Sequence, residues 1–511
     1  MIAILDFGSQ YTKIIARKIR ESNVYCEVFK HTVKIEDLQN KNVRGIILSG
    51  GPNSVFKKNA PTCDVNIFSS NLPLFGICYG MQLIAKHFGG EITKGNSKEY
   101  GLANLFIDNN FDLFEGLWLE MNIWMSHGDS VIRMPDQFQR LGHTDSCSIA
   151  AMSHPKKKIF GVQFHPEVSH TPRGKDIINN FLFRVCKCQQ DWNPKSFIKT
   201  AIQAINREVK HEKVLCALSG GVDSSVVAAL LKKAIGNRLT CMFIDLGFMR
   251  KNEGKKIKAL FEEKFNIDLI YVNAVDRFHK KLKNISEPEH KRKIIGEEFI
   301  RVFEEESKKL TGDYKFLAQG TLYPDVIESA VGDISETAVT IKSHHNVGGL
   351  PEDIDFSIIE PLRMLFKDEV RNVGLELGLP EELVFRHPFP GPGLAIRILG
   401  KLSKERVAIL QEADAILMEE VKNAGLYRKL WQVFAVLLPV KTVGVQGDQR
   451  TYSNVLAIRA VNSDDAMTAN WAKLPYELLE KVSSRIINEV ADINRVVYDI
   501  SSKPPATIEW E

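Results

Sequence analysis

The chain has 511 residues, 44% of them hydrophobic and 25% charged, with Lys+Arg 67 against Asp+Glu 63 and a net charge of +4. That length exceeds what one hydrophobic core sustains, so two to four domains are expected, and the charge is too balanced for a general nucleic-acid binder. All eight cysteines (26, 63, 78, 147, 186, 188, 216 and 241) lie in the first half without Cys-x-x-Cys spacing, which argues against a zinc ribbon or a disulfide framework.

Met1-Ile2-Ala3-Ile4-Leu5-Asp6 enters a strand at once, with no basic leader, and no apolar run approaches the ~18 residues of a membrane span. No membrane partner and a reducing cytoplasm are expected. Ile2–Asp6 leads into an amphipathic helix over Tyr11–Arg20, and strands follow at Val24–Phe29, Gly45–Ser49 and Leu72–Ile77. Such alternation predicts a doubly wound, mostly parallel sheet. Gly174–Cys186 reads as a closing helix, and Cys188–Lys195 breaks the periodicity, so the first domain is placed at 1–191.

Within it, Cys78 sits in Gly76-Ile77-Cys78-Tyr79-Gly80, between a strand and a helix beginning near Gly80. A helix N-terminus favours an anionic sulfur, and the two glycines permit a strained turn and close approach of a substrate. Phe160-Gly161-Val162-Gln163-Phe164-His165-Pro166-Glu167 supplies a base. If that segment is extended, His165 and Glu167 share one face while Phe160, Val162 and Phe164 pack the other. Cys, His and carboxylate in those roles make an acyl-transfer triad, and Ser49-Gly50-Gly51-Pro52 after another strand end offers an oxyanion turn. Together these segments closely resemble the class I (triad) glutamine amidotransferases. The resemblance implies that Cys78 forms a γ-glutamyl thioester and releases ammonia, with His165 as base then acid and Glu167 orienting it. It further implies an oxyanion hole from the amides of Gly51 and Tyr79. Gln82 and the segment Met125-Ser126-His127-Gly128-Asp129, with Ser126 and His127, fall where that family holds the amino-acid end of glutamine.

A second α/β domain is expected over 192–385: strand Val214–Leu218, helix Asp223–Ala234, then strands Leu239–Ile244, Asp268–Val272 and Lys315–Gln319. Between the first strand and helix lies Ser219-Gly220-Gly221-Val222-Asp223-Ser224-Ser225. Backbone N–H groups from Gly220 onward can form an anion nest at a helix N-terminus. No Lys is present for a γ-phosphate, so this is not a Walker A loop. Asp223 is the candidate Mg²⁺ ligand, since that ion prefers carboxylate and phosphate oxygens. The motif resembles the PP-loop of ATP pyrophosphatases, which cleave ATP between its α- and β-phosphates and adenylate a substrate oxygen. The resemblance places Asp245, Arg250, Lys367 and Asp368 around the nucleotide, with Mg²⁺ accompanying ATP and no prosthetic group.

His387-Pro388-Phe389-Pro390-Gly391-Pro392-Gly393 cannot be regular helix or central strand and sets the boundary of a smaller α+β domain over 386–511. Its elements are a helix with Val407, Leu410, Leu417 and Val421 on one face, strands Val433–Val445 and Val455–Val461, and a helix Tyr476–Val490. Sulfur-transferring PP-loop enzymes commonly use cysteines downstream of the loop, and none follows Cys241 here. A triad amidotransferase followed by a PP-loop domain is the arrangement of the GMP synthetase family. Gln319–Asp325, Lys342–Gly349, Pro361–Arg371, Arg386–Arg397, Val443–Asp448 and Ser502–Glu511 are similar to it as well. That resemblance implies glutamine, ATP and xanthosine 5′-monophosphate (XMP) as small-molecule substrates and no nucleic-acid partner. It also implies a lid over Lys342–Leu350, a homodimer through the C-terminal domain, and acceptor contacts from Arg292, Asp448, Lys503 and Glu509. The other readings weighed are a PP-loop ligase for a different acceptor, such as one of NAD synthesis, and a catalytically silent amidotransferase-fold sensor.

Overall fold

Short, almost wholly apolar segments build the centre of the first sheet, because strands between parallel neighbours bury both faces. Its nine strands are β1 (Ile2–Asp6), β2 (Cys26–Lys30), β3 (Gly45–Leu48), β4 (Leu74–Ile77), β5 (Glu91–Ile107), β6 (Glu120–Arg133), β7 (Gln139–His143), β8 (Ala151–His154) and β9 (Ile159–Val162). They lie in the order β2-β1-β3-β4-β9-β8-β7-β5-β6. From β2 to β9 the pairing is parallel; from β9 to β6 it is antiparallel. Helix α1 (Thr12–Arg20) buries Ile15, Ala16 and Ile19, as its spacing predicts. Helix α2 (Tyr79–His87) leaves β4 after a single residue. The expected closing helix is α3 (Gly174–Asn179), which widens into a π-helical turn over Asn180–Val185 that keeps Phe181, Leu182 and Val185 buried.

This computed structural model describes residues 1–310, 313–331, 356–446, 448–463, 466 and 468–511, so the lid expected over Lys342–Leu350 lies outside the described residues. Met1–Phe197 with the helix Tyr323–Val331 forms one compact unit, and Ile198–Leu322 with the described residues after 355 forms the other.

In the second unit, β10 (Lys213–Leu218), β11 (Leu239–Asp245), β12 (Asp268–Asn273), β13 (Tyr314–Ala318) and β14 (Ser357–Ile359) make a wholly parallel sheet in the order β12-β11-β10-β13-β14. Helix α4 (Val222–Ile235) follows β10 through Ser219–Gly221. Later helices are α5 (Pro288–Ser307), α6 (Lys367–Glu376) and α7 (Lys404–Asn423), the last capped by Ser403 Oγ, which accepts from Arg406 N at 3.2 Å. Val407, Leu410, Leu417 and Val421 of α7 are all buried. The chain then forms the long hairpin β15 (Gln432–Gln446) and β16 (Gln449–Asn462), the short β17 (Asn470–Trp471), helix α8 (Tyr476–Glu489) and β18 (Ile493–Asp499), which pairs parallel to β16. One apolar core runs from Leu215, Met242 and Phe248 to Leu410, Leu417, Val433 and Leu456. The PP-loop sheet and the C-terminal hairpin therefore pack as one body.

Arg459 of β16 is fully buried. It donates to the carbonyls of Ser501, Thr507 and Ile508 and pairs with Asp499 at 3.2 Å, fastening the tail to the sheet. Arg459→Met strands Asp499 and three carbonyls, and should cost about 3–5 kcal/mol. Denaturant unfolding measures that cost, and faster amide exchange over residues 501–511 would mark its location.

Candidate active sites

At the end of β4 the backbone of Cys78 takes φ +52° and ψ −105° before α2 begins. A residue with a side chain holds that conformation only when its surroundings impose it. Here they do: a Cβ on Gly76 would lie 2.5 Å from the Gly80 carbonyl carbon, and one on Gly80 would lie 2.4 Å from the Leu48 carbonyl oxygen. Strand β4, helix α2 and strand β3 thus meet at van der Waals limits, and the Cys78 amide donates to Val162 O at 2.7 Å. The thiol donates to Ser126 O at 3.8 Å and stands beside the His165 imidazole, since a Cβ on Gly50 would touch both. Gln163 Nε2 donates to the sulfur at 3.6 Å, and its Oε1 accepts from Gln82 Nε2 at 3.3 Å.

His165 Nδ1 meets Glu167 Oε1 at 2.8 Å, with both side chains buried. The two groups come together, but not by strand alternation. Strand β9 ends at Val162, and His165-Pro166-Glu167 lies in a turn packed so tightly that a Cβ on Gly174 would strike the Pro166 carbonyl. Phe160, Val162 and Phe164 are all buried because this sheet is covered on both faces. Thr171 Oγ1 donates to His165 O at 2.7 Å, the His165 amide donates to Trp124 O at 3.0 Å, and the Tyr11 ring stands edge-on at 5.0 Å. Burial opposes a charge on His165. The Glu167 carboxylate and the hydrogen bond from the Cys78 side overcome that opposition and raise the imidazole well above its ordinary range.

The remaining residues named from the family surround this series. Tyr79 is the first residue of α2, and Gly51 packs on Phe7, where a Cβ would meet the Phe7 carbonyl at 2.8 Å. Gln82 is buried and donates to Asp129 O at 2.7 Å. Ser126 and His127 lie on β6, with His127 buried. Gln163, two residues before the base, is not named in a catalytic role from sequence; a polar amide within an otherwise apolar run is its only signal. Gly50, in the expected oxyanion turn, abuts the pair: a Cβ there would sit 3.2 Å from His165 Cε1 and 3.7 Å from Cys78 Cβ.

At the second site Gly220 adopts φ +76°, and Ser219 Oγ lies 3.0 Å from Ser224 Oγ and accepts from Gly221 N at 3.3 Å. The loop turns back on itself in front of α4. Ser225 Oγ donates to Gly221 O at 2.8 Å, and Val222 begins the helix with its side chain buried. Lys367, at the start of α6, reaches Asp223 Oδ2 at 2.5 Å, and the other oxygen, Oδ1, is buried without a hydrogen-bond partner among the described residues. An orphaned carboxylate oxygen beside a phosphate nest suits a divalent cation. Asp368 stands beside Lys367 in the first turn of α6. Asp245 ends β11, accepting from Gly247 N at 2.9 Å and from the Tyr271 hydroxyl. Arg250 pairs with the buried Asp414 at 3.3 Å.

Arg386, which sequence reading did not single out, donates to Gly220 O at 2.6 Å and pairs with Glu253. Its guanidinium and those of Arg250 and Arg397 lie 5.0, 4.8 and 5.1 Å from the Phe389 ring. Arg397 in turn clasps Glu509 through two hydrogen bonds of 3.0 and 2.8 Å, and Gln432 adds a third at 2.7 Å. Arg292 binds the Glu511 carbonyl, and Lys503 Nζ donates to Ala466 O at 2.9 Å. Arg292, Lys503 and Glu509 therefore gather at the Gln432 end of β15. Asp448 does not join them. It is exposed at the opposite tip of the hairpin, with φ +62° in the turn, and the strand between spans roughly 45 Å at ~3.3 Å per residue. An Asp also suits the conformation of that turn.

Residues 3–185 match the glutamine amidotransferase class-I family, 212–305 the tRNA methyl transferase HUP domain and 419–510 the GMP synthase C terminal domain. Fold and motifs thus define a glutaminase module followed by an ATP-using PP-loop module. The GMP synthase [glutamine-hydrolyzing] of Acetivibrio thermocellus is 57% identical, covering 100% of this chain and 99% of its own. That of Clostridium tetani is 56% identical over 100% and 99%, and that of Thermosynechococcus vestitus 56% over 100% and 96%. The chain belongs to the glutamine-hydrolysing GMP synthase family and is a ligase.

Because Glu167 is the strongest influence raising His165, Glu167→Gln should lower the pH at which the imidazolium loses its proton. Histidine NMR titration of the full chain reads that shift directly. Glutaminase kcat should fall about 10²-fold or more with it.

Proposed function

We propose that this chain converts XMP to GMP, using glutamine as nitrogen donor and cleaving ATP to AMP and pyrophosphate. The observation that carries the reading is a hydrogen-bonded Cys78–His165–Glu167 series in the same chain as a phosphate nest at Ser219–Ser225. Three functional modules follow: glutamine hydrolysis in 1–191, ATP binding in 192–385, and acceptor binding with dimerisation in 386–511.

Cys78 sulfur attacks the side-chain carbonyl of glutamine, and its proton passes to His165 Nε2. Glu167 at Nδ1 holds the ring in register and stabilises the imidazolium. Negative charge on the carbonyl oxygen is met by the amides of Gly51 and Tyr79 at the start of α2. His165 returns the proton to the leaving nitrogen as ammonia departs. The imidazole then takes a proton from water, whose oxygen displaces Cys78 from the thioester and releases glutamate. Gln163 steadies the sulfur through its amide N–H, and through Gln82 links it to the β6 segment holding Ser126 and His127. These last two residues, with Gln82, hold the amino-acid end of the substrate.

In the second module the amides and hydroxyls of Ser219 to Ser225, with Lys367, hold the departing pyrophosphate while the XMP O2 attacks the α-phosphorus. Mg²⁺ accompanying ATP would be held by Asp223 with phosphate oxygens, and would neutralise charge on the leaving group. Asp245, Arg250 and Asp368 line the nucleotide. Ammonia adds at the purine C2, and AMP leaves with the transferred oxygen. Arg292 and Lys503 suit the acceptor's phosphate, and Glu509 suits purine N–H or ribose hydroxyls.

Homodimerisation is supported by the hairpin surface. Val443 and Tyr452 are cross-strand partners, and with Val445 they form an apolar face of which Val445 is 74% and Tyr452 66% exposed. A bare patch of this kind marks an interaction surface. A cytoplasmic setting is supported by eight unbridged cysteines; no described helix is long and apolar enough to cross a membrane.

AMP and pyrophosphate release should require XMP, and release driven equally well by nicotinate dinucleotide would sink the assigned acceptor. Cys78→Ala should abolish GMP formation from glutamine yet preserve it from ammonium; loss of both activities would refute the division of labour. Val445→Asp with Tyr452→Asp should convert a dimer to a monomer in analytical ultracentrifugation.

A further inference from the structure

Glu99, His127 and Cys147 bring a carboxylate oxygen, an imidazole nitrogen and a thiol together, with the three ligand atoms within 4.8 Å of one another. Glu99 and His127 are register partners across β5 and β6, and Cys147 comes from the loop before β8. His127 and Cys147 are buried; Glu99 keeps 17% of its side chain exposed, enough to give the cluster a path to solvent.

The imidazole is oriented for a ligand. His127 Nδ1 faces Asp129 O at 3.1 Å. A carbonyl only accepts, so Nδ1 carries a proton and Nε2 is the ring nitrogen turned into the cluster. Nε2 lies 3.4 Å from Glu99 Oε2, and neither atom has a well-directed hydrogen bond among the described residues. A nitrogen, a carboxylate oxygen and a sulfur therefore converge on one buried point, where a cation would satisfy all three.

We propose that Glu99, His127 and Cys147 form a binding site for a divalent transition cation of the Zn²⁺ class, with water completing a tetrahedron. An N, O and S donor set suits that class and not Mg²⁺ or Ca²⁺. Each ligand is held from behind, as metal ligands are. Glu99 Oε1 accepts from Thr144 Oγ1 at 3.3 Å and Ser146 Oγ at 2.5 Å; His127 donates to Asp129; the Cys147 amide donates to Thr144 Oγ1 at 2.9 Å. Binding releases the thiol proton of Cys147, so affinity rises with pH. The site differs from the Cys78 series yet adjoins it, since Ser126, next to His127, has its carbonyl 3.8 Å from Cys78 Sγ.

The test uses the full chain carrying Cys78→Ala, which removes the exchangeable active-site thiol, and Co²⁺ alone without nucleotide. One equivalent of Co²⁺ should bind with a thiolate-to-cobalt charge-transfer band that Zn²⁺ abolishes. Adding Cys147→Ala should erase the band, and Thr144→Val should weaken Co²⁺ binding about tenfold. Cys147→Ser, checked by circular dichroism for a native fold, separates loss of the ligand from loss of the structure. A band that survives both Cys147 substitutions, or no band at any Co²⁺ level, overturns the proposal.

Discussion

A strand ending in a turn too tight for side chains, with a helix leaving at once, is the constraint on which both sites depend. At Cys78 the turn is forced by contacts among Gly76, Gly80 and Leu48 that leave no room for a Cβ. The nucleophile is thereby lifted from the sheet edge, where the α2 dipole favours negative charge. At Gly220 the same device appears without a nucleophile: φ +76°, with α4 beginning directly after Gly221. Each turn follows a central strand of a parallel sheet, where the carboxyl ends of neighbouring strands leave a crevice. One topological rule thus yields an oxyanion site in one module and a phosphate site in the other.

What differs is the charge gathered around each turn. In the first unit a carboxylate and an imidazole are buried together, so each is stabilised only by the other and by the sulfur they serve. In the second, three guanidiniums surround one aromatic ring, and their mutual repulsion is offset by Glu253, Asp414 and Glu509 together with the face of Phe389. His387, buried beside them, is held neutral, lowered to about 4 by burial and by the charges of Arg250, Arg371 and Arg397.

Local patterns in the sequence carried most of the fold. Apolar runs such as Ile2–Asp6 and Leu239–Asp245 are strands, and Val407, Leu410, Leu417 and Val421 do share a buried helix face. Cys78 and the Ser219–Ser225 loop were legible because strand, glycine and helix follow one another within a few residues. His165 and Glu167 were legible as partners but not in their geometry: period-two spacing and a proline-centred turn both bring residues i and i+2 together, and only tertiary packing decides between them. Gln163 and Arg386 act through contacts with residues 85 and 166 positions away, a separation no local pattern encodes. Asp448 stands apart from the others within one chain for the converse reason. It lies close in sequence to the acceptor-binding end, but an extended hairpin carries it to the far tip.

The tail that bears Lys503 and Glu509 shows how a flexible terminus becomes part of a site. Lys291 on α5 is fully buried and donates to Ala395 O, Ile398 O and Glu511 Oε2, at 3.3, 2.8 and 2.5 Å. Burial draws both Lys291 and Glu511 toward neutrality. An ammonium with three donors and three acceptors is nevertheless fully satisfied, whereas a neutral amine would leave an acceptor unpaired, so the pair is charged. Buried ion pairs of this kind add little net stability, but they tolerate no displacement, because separation strands a charge in an apolar interior. With Arg459 holding residues 501–508 from the other side, Glu509 is fixed in the same core that supports the phosphate nest. The carboxylate proposed to read the purine and the loop proposed to hold ATP therefore belong to one compact unit.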